Sequence, residues 1–571
     1  MVKTLRAHSY LSVLLLFSLI QSATPIGAQQ TPQRERRVTT AATATPTPSP
    51  APSTADNPAE TPQSSPASTP DVVQIRRTAT TRSLAELQSR ITEILRKPEL
   101  TPAMVGIKVT SLETGRVLFE ENANKLLRPA SNMKLYTVAA ALDRLSPDYR
   151  FVTSVYANEK PTDKGVVKGD LTVYGRGDPS MAARFNNGDY FKGIDDLATR
   201  IAAAGVKKVE GDLVGDESYF TGPQYGSGWE WEDLQWYFGA EVSALTVNDN
   251  ALDLFVKPGA KVGAPALITT GPPDPLLRIV NKVVTGARGT KRDLNVYREL
   301  AGDELKISGS IAVDDKGYTG GVGISRPALL FAYLLRASLA QRGVTIKGQT
   351  RTVDSRSGNS KIPKVPLSLL PVNTGSGPVE LASMQSVPLS AVAANTLKPS
   401  QNLYTEIILR TLGTVVLPPG NPSRTDSTSE TDGIAVVKKF LQEAGITPAS
   451  LVLTDGSGLS RNDMVTAEAT IQLLTYMHRH RYAAIFRDAL PIAGVDGTLR
   501  NRFKGTAAEN NLRAKTGTLS SASSLSGYVR DAAGEDLAFS IMINNYPTDA
   551  DVRTNCIEPI AVLLASFGGK P

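Results

Sequence analysis

The sequence predicts a mixed α/β (α+β) fold, an antiparallel sheet flanked by helices and interrupted by a large β-rich insertion. Three observations predict it. Residues 83–147 run helix, hairpin, helix; residues 148–385 alternate short β-type runs with Gly/Asp turns; helix-plus-strand character returns over 386–571. A pattern that stops and resumes implies one discontinuous domain around an insert. At 571 residues the chain is too long for a single hydrophobic core.

Lys3 and Arg6 precede an apolar run at 10–20 and small residues at 26–28. That order predicts a secretory signal peptide over 1–28, with uncleaved anchoring as the alternative, since the run is short for a membrane span. Residues 29–82 are rich in Pro, Thr, Ala and Ser; between Ala41 and Pro70, 8 of 30 residues are proline. Such a stretch cannot bury enough apolar surface to order itself and is expected to be a linker.

Order is expected from Ser83. The run SLAE has capping-box form, with Ser83 as N-cap and Glu86 at N3. Leu84, Leu87, Ile91, Ile94 and Leu95 follow at helical spacing. Residues 104–112 and 116–122 flank a Glu-Thr-Gly turn and predict a hairpin. A helix over 135–145 closes the first part of the domain, 83–147.

The insert is expected as a β-rich domain from 148–250 and 351–385, with a second domain, 251–350, nested inside it. One amphipathic helix, 327–343, interrupts its strands, and the units Gly-Asp-Leu at 169–171 and 211–213 hint at internal repetition. In the second part, 386–571, residues 465–480 predict a helix, 525–545 a hairpin and 551–566 a closing helix. Trp229 and Trp231, in the insert, are core aromatics or a wall of a substrate groove, with burial the commoner fate of tryptophan.

Composition narrows the chemistry. A net charge of +7 fits weak attraction to anionic surfaces, and no Lys/Arg block points to nucleic acid. One cysteine, Cys556, excludes an internal disulfide framework and a multi-Cys zinc site. Three histidines, His8 in the leader and the pair His478 and His480, leave a Ser-His-Asp site poorly provided for. The run GRGDPS at 175–180 lacks the third glycine of a dinucleotide loop. No metal or organic cofactor is expected, and membrane association is expected to be peripheral or absent.

The run RPASNMKLYT, 128–137, places Ser131 and Lys134 at i and i+3 where a helix begins. On a helix such residues share a face. A serine becomes a nucleophile only when a base takes its proton, and a lysine serves as that base only when burial or a nearby cation lowers its pKa. Two further patterns follow: Ser400 and Asn402 in KPSQN, and Lys515, Thr516, Gly517 and Thr518 in the chain's single K-T-G run. S-x-x-K, S-x-N and K-T-G in that order are the signatures of penicillin-recognising serine acyltransferases.

The long β-rich interval between Ser131 and Ser400 resembles the class C low-molecular-mass penicillin-binding proteins. These are D-alanyl-D-alanine carboxypeptidase/endopeptidases with a penicillin-binding, serine β-lactamase-like transpeptidase fold. Residues 128–142, 177–181, 228–233, 243–250, 388–406, 455–461 and 494–502 look like that family, and the likeness spans roughly 85–570. Gln401 departs from it, where Asp is common.

The resemblance implies Ser131 as nucleophile, Lys134 as its base, Ser400 and Lys515 as a proton relay, and Asn402 as a holder of Lys134 and substrate. It implies that Thr516 and Thr518, beside Gly517, bind the terminal carboxylate. It also implies peptidoglycan stem peptides as substrate, β-lactam antibiotics as inhibitors and a place in the periplasm or cell envelope. Asp455–Arg461 and Asp496 are expected as turns and caps. A β-lactamase is disfavoured, because no E-x-x-x-N spacing occurs between Asn402 and Lys515. An esterase on the same fold, or a catalytically silent wall-binding scaffold, stays open, as does the oligomeric state.

Overall fold

The computed structural model describes residues 81–300, 302–356, 378–416 and 427–569. The expected signal peptide, nearly all of the linker and much of 351–385 lie outside them.

A five-stranded antiparallel sheet joins the two ends of the chain. Its strands are β1 (Met104–Ser111), β2 (Val117–Glu121), β3 (Arg513–Leu519), β4 (Ala522–Arg530) and β5 (Asp536–Asn544), in the order β3-β4-β5-β1-β2. The closing pair is β1–β5, in unbroken register from Met104↔Asn544 to Ser111↔Leu537. Both faces are covered, so alternate residues feed two cores. From β5, Leu537, Phe539, Ile541 and Ile543 pack with helices Leu84–Leu95 and Glu558–Ala565. Ala538 and Met542 turn to the opposite core, with helices Met133–Leu145 and Ala467–His478.

Local chemistry accounts for the ends of these helices. Ser83 Oγ accepts the Glu86 N–H at 3.2 Å, while the Glu86 carboxylate takes the N–H of Arg82, one residue earlier than a strict capping box. The C-terminal helix starts at Glu558, after a π-helical turn at Arg553–Ile557, because Pro559 is tolerated only in a first turn. Helix Met133–Leu145 is buried almost all round, as a helix apolar on every face must be.

The insert contains a second five-stranded sheet, in the order Thr350–Val353, Leu213–Asp216, Leu171–Tyr174, Val152–Ala157, Val379–Gln385. The Gly-Asp-Leu units stack here. Leu171, Leu213 and Thr350 are parallel partners, Gly211 N–H donates to Gly169 O at 2.9 Å, and Gly348 N–H to Gly211 O at 3.0 Å. A Cβ on Gly211 would lie 2.5 Å from the carbonyl carbon of Gly169, so the contact requires glycine. Gly348 is the third member, hidden in the sequence because Gln349 and Thr350 replace the aspartate and leucine.

Helices Lys192–Ala203 and Pro327–Gln341 share the core of this sheet. The boundary at 350 had grouped the second helix with the nested segment. Two three-stranded sheets from Ala251–Gly323 enclose a separate core around Leu254, Val283, Ile307 and Val322.

Candidate active site

The turn carrying Ser131 is held from three sides. Arg128 N–H donates to Asn544 Oδ1 at 2.7 Å, Ser524 Oγ donates to Pro129 O at 2.6 Å, and Asn132 Nδ2 donates to Ser526 Oγ at 2.7 Å. Ala130 sits at φ +48°, a left-handed conformation that costs a non-glycine residue free energy. A 3₁₀ turn at Ala130–Asn132 then feeds the helix from Met133, leaving Ser131 half-buried and Lys134 wholly buried.

Lys134 Nζ lies 3.0 Å from Ser131 Oγ, 2.6 Å from Asn402 Oδ1 and 2.6 Å from the carbonyl oxygen of Ser457. Burial drives its pKa down to about 7, against the opposing pull of Asp455, Glu406 and Asp463. The contact set fits an ammonium, which donates to all three partners. Two of the partners can only accept, so when the amine is neutral it donates to both and its lone pair is left to Ser131, the one partner with a proton to give.

The second element begins at Ser400, at φ +65°. Gln401 then caps helix Asn402–Val415, its side-chain oxygen accepting the Leu403 N–H at 3.2 Å; its role is structural. Asn402 bridges the domains: Oδ1 accepts from Lys134, and Nδ2 donates to the insert carbonyl of Phe238 at 2.8 Å.

Edge strand β3 supplies the third element. Lys515 Nζ donates to Ser400 Oγ at 2.7 Å and to Thr516 O at 2.8 Å. It is fully buried, and burial together with the charge of Lys134 holds its pKa well below the usual lysine value. Thr516 Oγ1 donates to Thr498 Oγ1 at 2.9 Å, and Thr518 is exposed at the strand end. Gly517 passes against the turn that carries Ser131: a Cβ there would lie 2.5 Å from Pro129 O and 3.1 Å from Ala130 Cβ.

The structure thus forms two hydrogen-bonded sets, Ser131–Lys134–Asn402 and Ser400–Lys515, close enough that the charge of Lys134 acts on Lys515, with Thr516 and Gly517 beside them on the same strand. Several contributors escaped the sequence analysis. The backbone carbonyls of Ser457 and Phe238 carry no side-chain signature, and Glu406, whose Oε1 accepts the Gly456 N–H at 3.0 Å, sits in what reads as an apolar helix.

The loop 455–461 is built as a turn on one acceptor. Asp455 takes the N–H groups of Ser457, Gly458, Leu459 and Ser460, the Ser457 hydroxyl, and Trp229 Nε1 at 2.7 Å. Asp496 likewise caps its own turn, accepting the Ile492 N–H at 2.8 Å. The two tryptophans part company, and the expectation of burial is corrected for one. Trp229 is half-buried on that carboxylate, whereas Trp231 stands 64% exposed, carried outward by the next residues of the same loop.

A serine served by a buried lysine, a Ser-x-Asn on a second element and a Lys-Thr-Gly on the facing edge strand define a serine acyltransferase of the penicillin-recognising class. The D-Ala-D-Ala carboxypeptidase 3 (S13) family matches residues 87–567, and the chain belongs to that family.

It is 34% identical over 502 residues to the D-alanyl-D-alanine carboxypeptidase of Actinomadura sp., with 86% of each chain covered. It is 26% identical over 463 residues to the D-alanyl-D-alanine carboxypeptidase DacB of Haemophilus influenzae, covering 79% of this chain and 87% of that one. The solved penicillin binding protein 4 (dacB) of Haemophilus influenzae shares the fold, at TM-score 0.68 and 24% identity, covering 83% of this chain and 97% of that one. Family and fold make this chain a serine DD-peptidase. Among the described residues no helix is long and apolar enough to cross a membrane.

Proposed function

We propose that Ser131 is the nucleophile of a D-Ala-D-Ala carboxypeptidase acting on peptidoglycan stem peptides, with Lys134 as its general base. The observation that carries this is the contact set of Lys134, whose lone pair in the neutral form is left to Ser131 alone. Ser131 Oγ attacks the penultimate D-Ala carbonyl carbon and gives its proton to Lys134. The carbonyl oxygen gains charge and is received by the backbone N–H groups of Ser131 and Thr518.

As the tetrahedral centre collapses, the C–N bond breaks and the leaving D-Ala nitrogen takes a proton from Ser400, which Lys515 replenishes. Thr516 and Thr518, near the Lys515 cation, receive the terminal carboxylate. Water then attacks the ester carbon, its proton passing through Ser400 to restore Lys515, and Ser131 recovers its own proton from Lys134. Cross-linked D-Ala–diamino acid bonds present the same carbonyl, so endopeptidase action uses the same groups. A β-lactam presents a strained amide to the same serine, and the acyl-enzyme persists because its leaving group stays tethered. The signal-like leader supports export to the cell envelope.

Intact-mass spectrometry after incubation with benzylpenicillin tests the reading, beside Ser131→Ala. One stable adduct on the native protein, absent from the variant, is expected. No adduct with the drug intact removes Ser131 from the role and leaves a silent scaffold. No adduct with the drug hydrolysed makes the protein a β-lactamase instead.

A further inference from the structure

Residues 257–292 of the nested segment carry seven Lys/Arg against one acidic residue, Asp274. Arg278 pairs with Glu304 and Arg292 with Asp315. Lys257, Lys261, Lys282, Arg288 and Lys291 are exposed and enter no ion pair among the described residues. Large aliphatic side chains stand in solvent among them: Val262 is 57%, Leu267 60% and Val284 48% exposed.

Register brings these groups together. Lys257 and Leu267 are direct cross-strand partners. Pro265 bridges Val284 antiparallel, with the Ala266 N–H donating to Val283 O at 3.0 Å and the Thr285 N–H to Ala264 O at 2.9 Å. Carried two residues further, that register sets Leu267 beside Lys282, and Lys282 shares a strand face with Val284. Lys261 and Val262 lie in the connection between the first two strands, and Arg288 and Lys291 in the loop beyond Gly286. Of the neighbouring acids Asp315 holds Arg292, while Asp314, which accepts the Gly289 N–H at 3.0 Å, and the exposed Asp293 are outnumbered by the five cations.

We propose that this sheet end docks on an anionic phospholipid leaflet, its aliphatic side chains entering the acyl boundary while the five cations face the headgroups. Charge complementarity alone fits any polyanion. The aliphatic groups decide between them, because only a hydrocarbon layer rewards their removal from water, whereas an anionic wall polymer offers none. Such docking holds the enzyme at a bilayer surface with no spanning segment. None of the eight residues hydrogen-bonds to Ser131, Lys134, Ser400, Asn402 or Lys515.

The test is co-sedimentation of the chain from Gln29 onward, which keeps every described element, with phosphatidylglycerol/phosphatidylcholine vesicles and with pure phosphatidylcholine. The native chain is expected to pellet with the anionic vesicles only. Each of Lys257→Gln, Lys261→Gln and Lys282→Gln is expected to weaken partitioning roughly fivefold. The combined Val262→Ser, Leu267→Ser, Val284→Ser variant is expected to weaken it roughly tenfold or more. All variants should be acylated by benzylpenicillin at the native rate, which establishes that they are folded. A native chain that stays in the supernatant, or pellets equally with both vesicles, overturns the proposal. So does a triple serine variant that binds as the native chain does, since the surface then reads charge alone and a wall polyanion is its occupant.

Discussion

Trp229 Nε1, in the insert, donates to Asp455 Oδ2 at 2.7 Å, and two residues beyond Asp455 the carbonyl of Ser457 accepts from Lys134 Nζ at 2.6 Å. The insert therefore grips Lys134 through one carboxylate. Asp455 is also the largest of the charges opposing the fall in the Lys134 pKa.

The pH dependence of acylation follows from that balance. Lys134 takes the Ser131 proton only as a free amine, so the benzylpenicillin acylation rate should rise with pH through a midpoint of about 7. The unfolded chain keeps its extra proton up to the ordinary value of 10.5. This group's contribution to stability therefore also rises between about 7 and 10.5, where the unfolded state holds more protons. Lys134→Ala should lower the acylation rate by about 10²–10⁴-fold. An acylation rate flat from pH 5 to 9 would remove Lys134 as the base.

Asp455→Asn removes the charge that favours the lysine cation, so the acylation midpoint should move to lower pH. The same substitution leaves loop N–H groups short of an acceptor and should cost about 3 kcal/mol of stability. Trp229→Phe deletes one bond to the same carboxylate but keeps its charge. It should cost about 2 kcal/mol and leave the midpoint where it was. Urea unfolding and acylation–pH profiles on both variants separate the two effects; an unmoved midpoint in Asp455→Asn sinks the electrostatic assignment.

Much of this site was legible because its chemistry sits in side chains at fixed spacing. Ser131 and Lys134 stand three residues apart where a helix begins, and Lys515 opens the chain's single K-T-G run. What escaped was carried by backbone. The carbonyls of Ser457 and Phe238 have no residue-type signature, and the left-handed conformations at Ala130 and Ser400 fall on residues that do not advertise them. Trp231 misled for a related reason: composition gives tryptophan a usual fate, but only the path of the loop decides which of two neighbours turns inward. The third glycine of the insert stack, Gly348, was masked by two changed neighbours, Gln349 and Thr350, although it donates to Gly211 as Gly211 donates to Gly169.

Gly517 is required by the closeness of β3 to the turn before Ser131. In Gly517→Ala the added methyl would stand 2.2 Å from Ser524 Oγ and 2.5 Å from Pro129 O. Ser524 Oγ donates to that same carbonyl, so neither neighbour can yield without loosening the turn before Ser131. The expected loss is about 1–3 kcal/mol of stability, with slower acylation at every pH and an unchanged midpoint, because Lys134 itself is untouched. Native stability and acylation in this variant would show that the strand has room to retreat.

Ser400 offers a way to separate chemistry from backbone strain. Its φ of +65° costs a serine roughly 1 kcal/mol or more, and glycine nothing. Ser400→Gly should therefore keep or raise the melting temperature while deleting the hydroxyl that Lys515 Nζ meets at 2.7 Å. Ser400→Ala deletes the same hydroxyl but keeps the strain. If the hydroxyl relays the proton to the leaving nitrogen, both variants lose about 10²-fold or more in D-Ala release, although they differ in stability. If the role of Ser400 were only to shape the turn, Ser400→Gly would release D-Ala at the native rate, and the relay would have to be sought elsewhere.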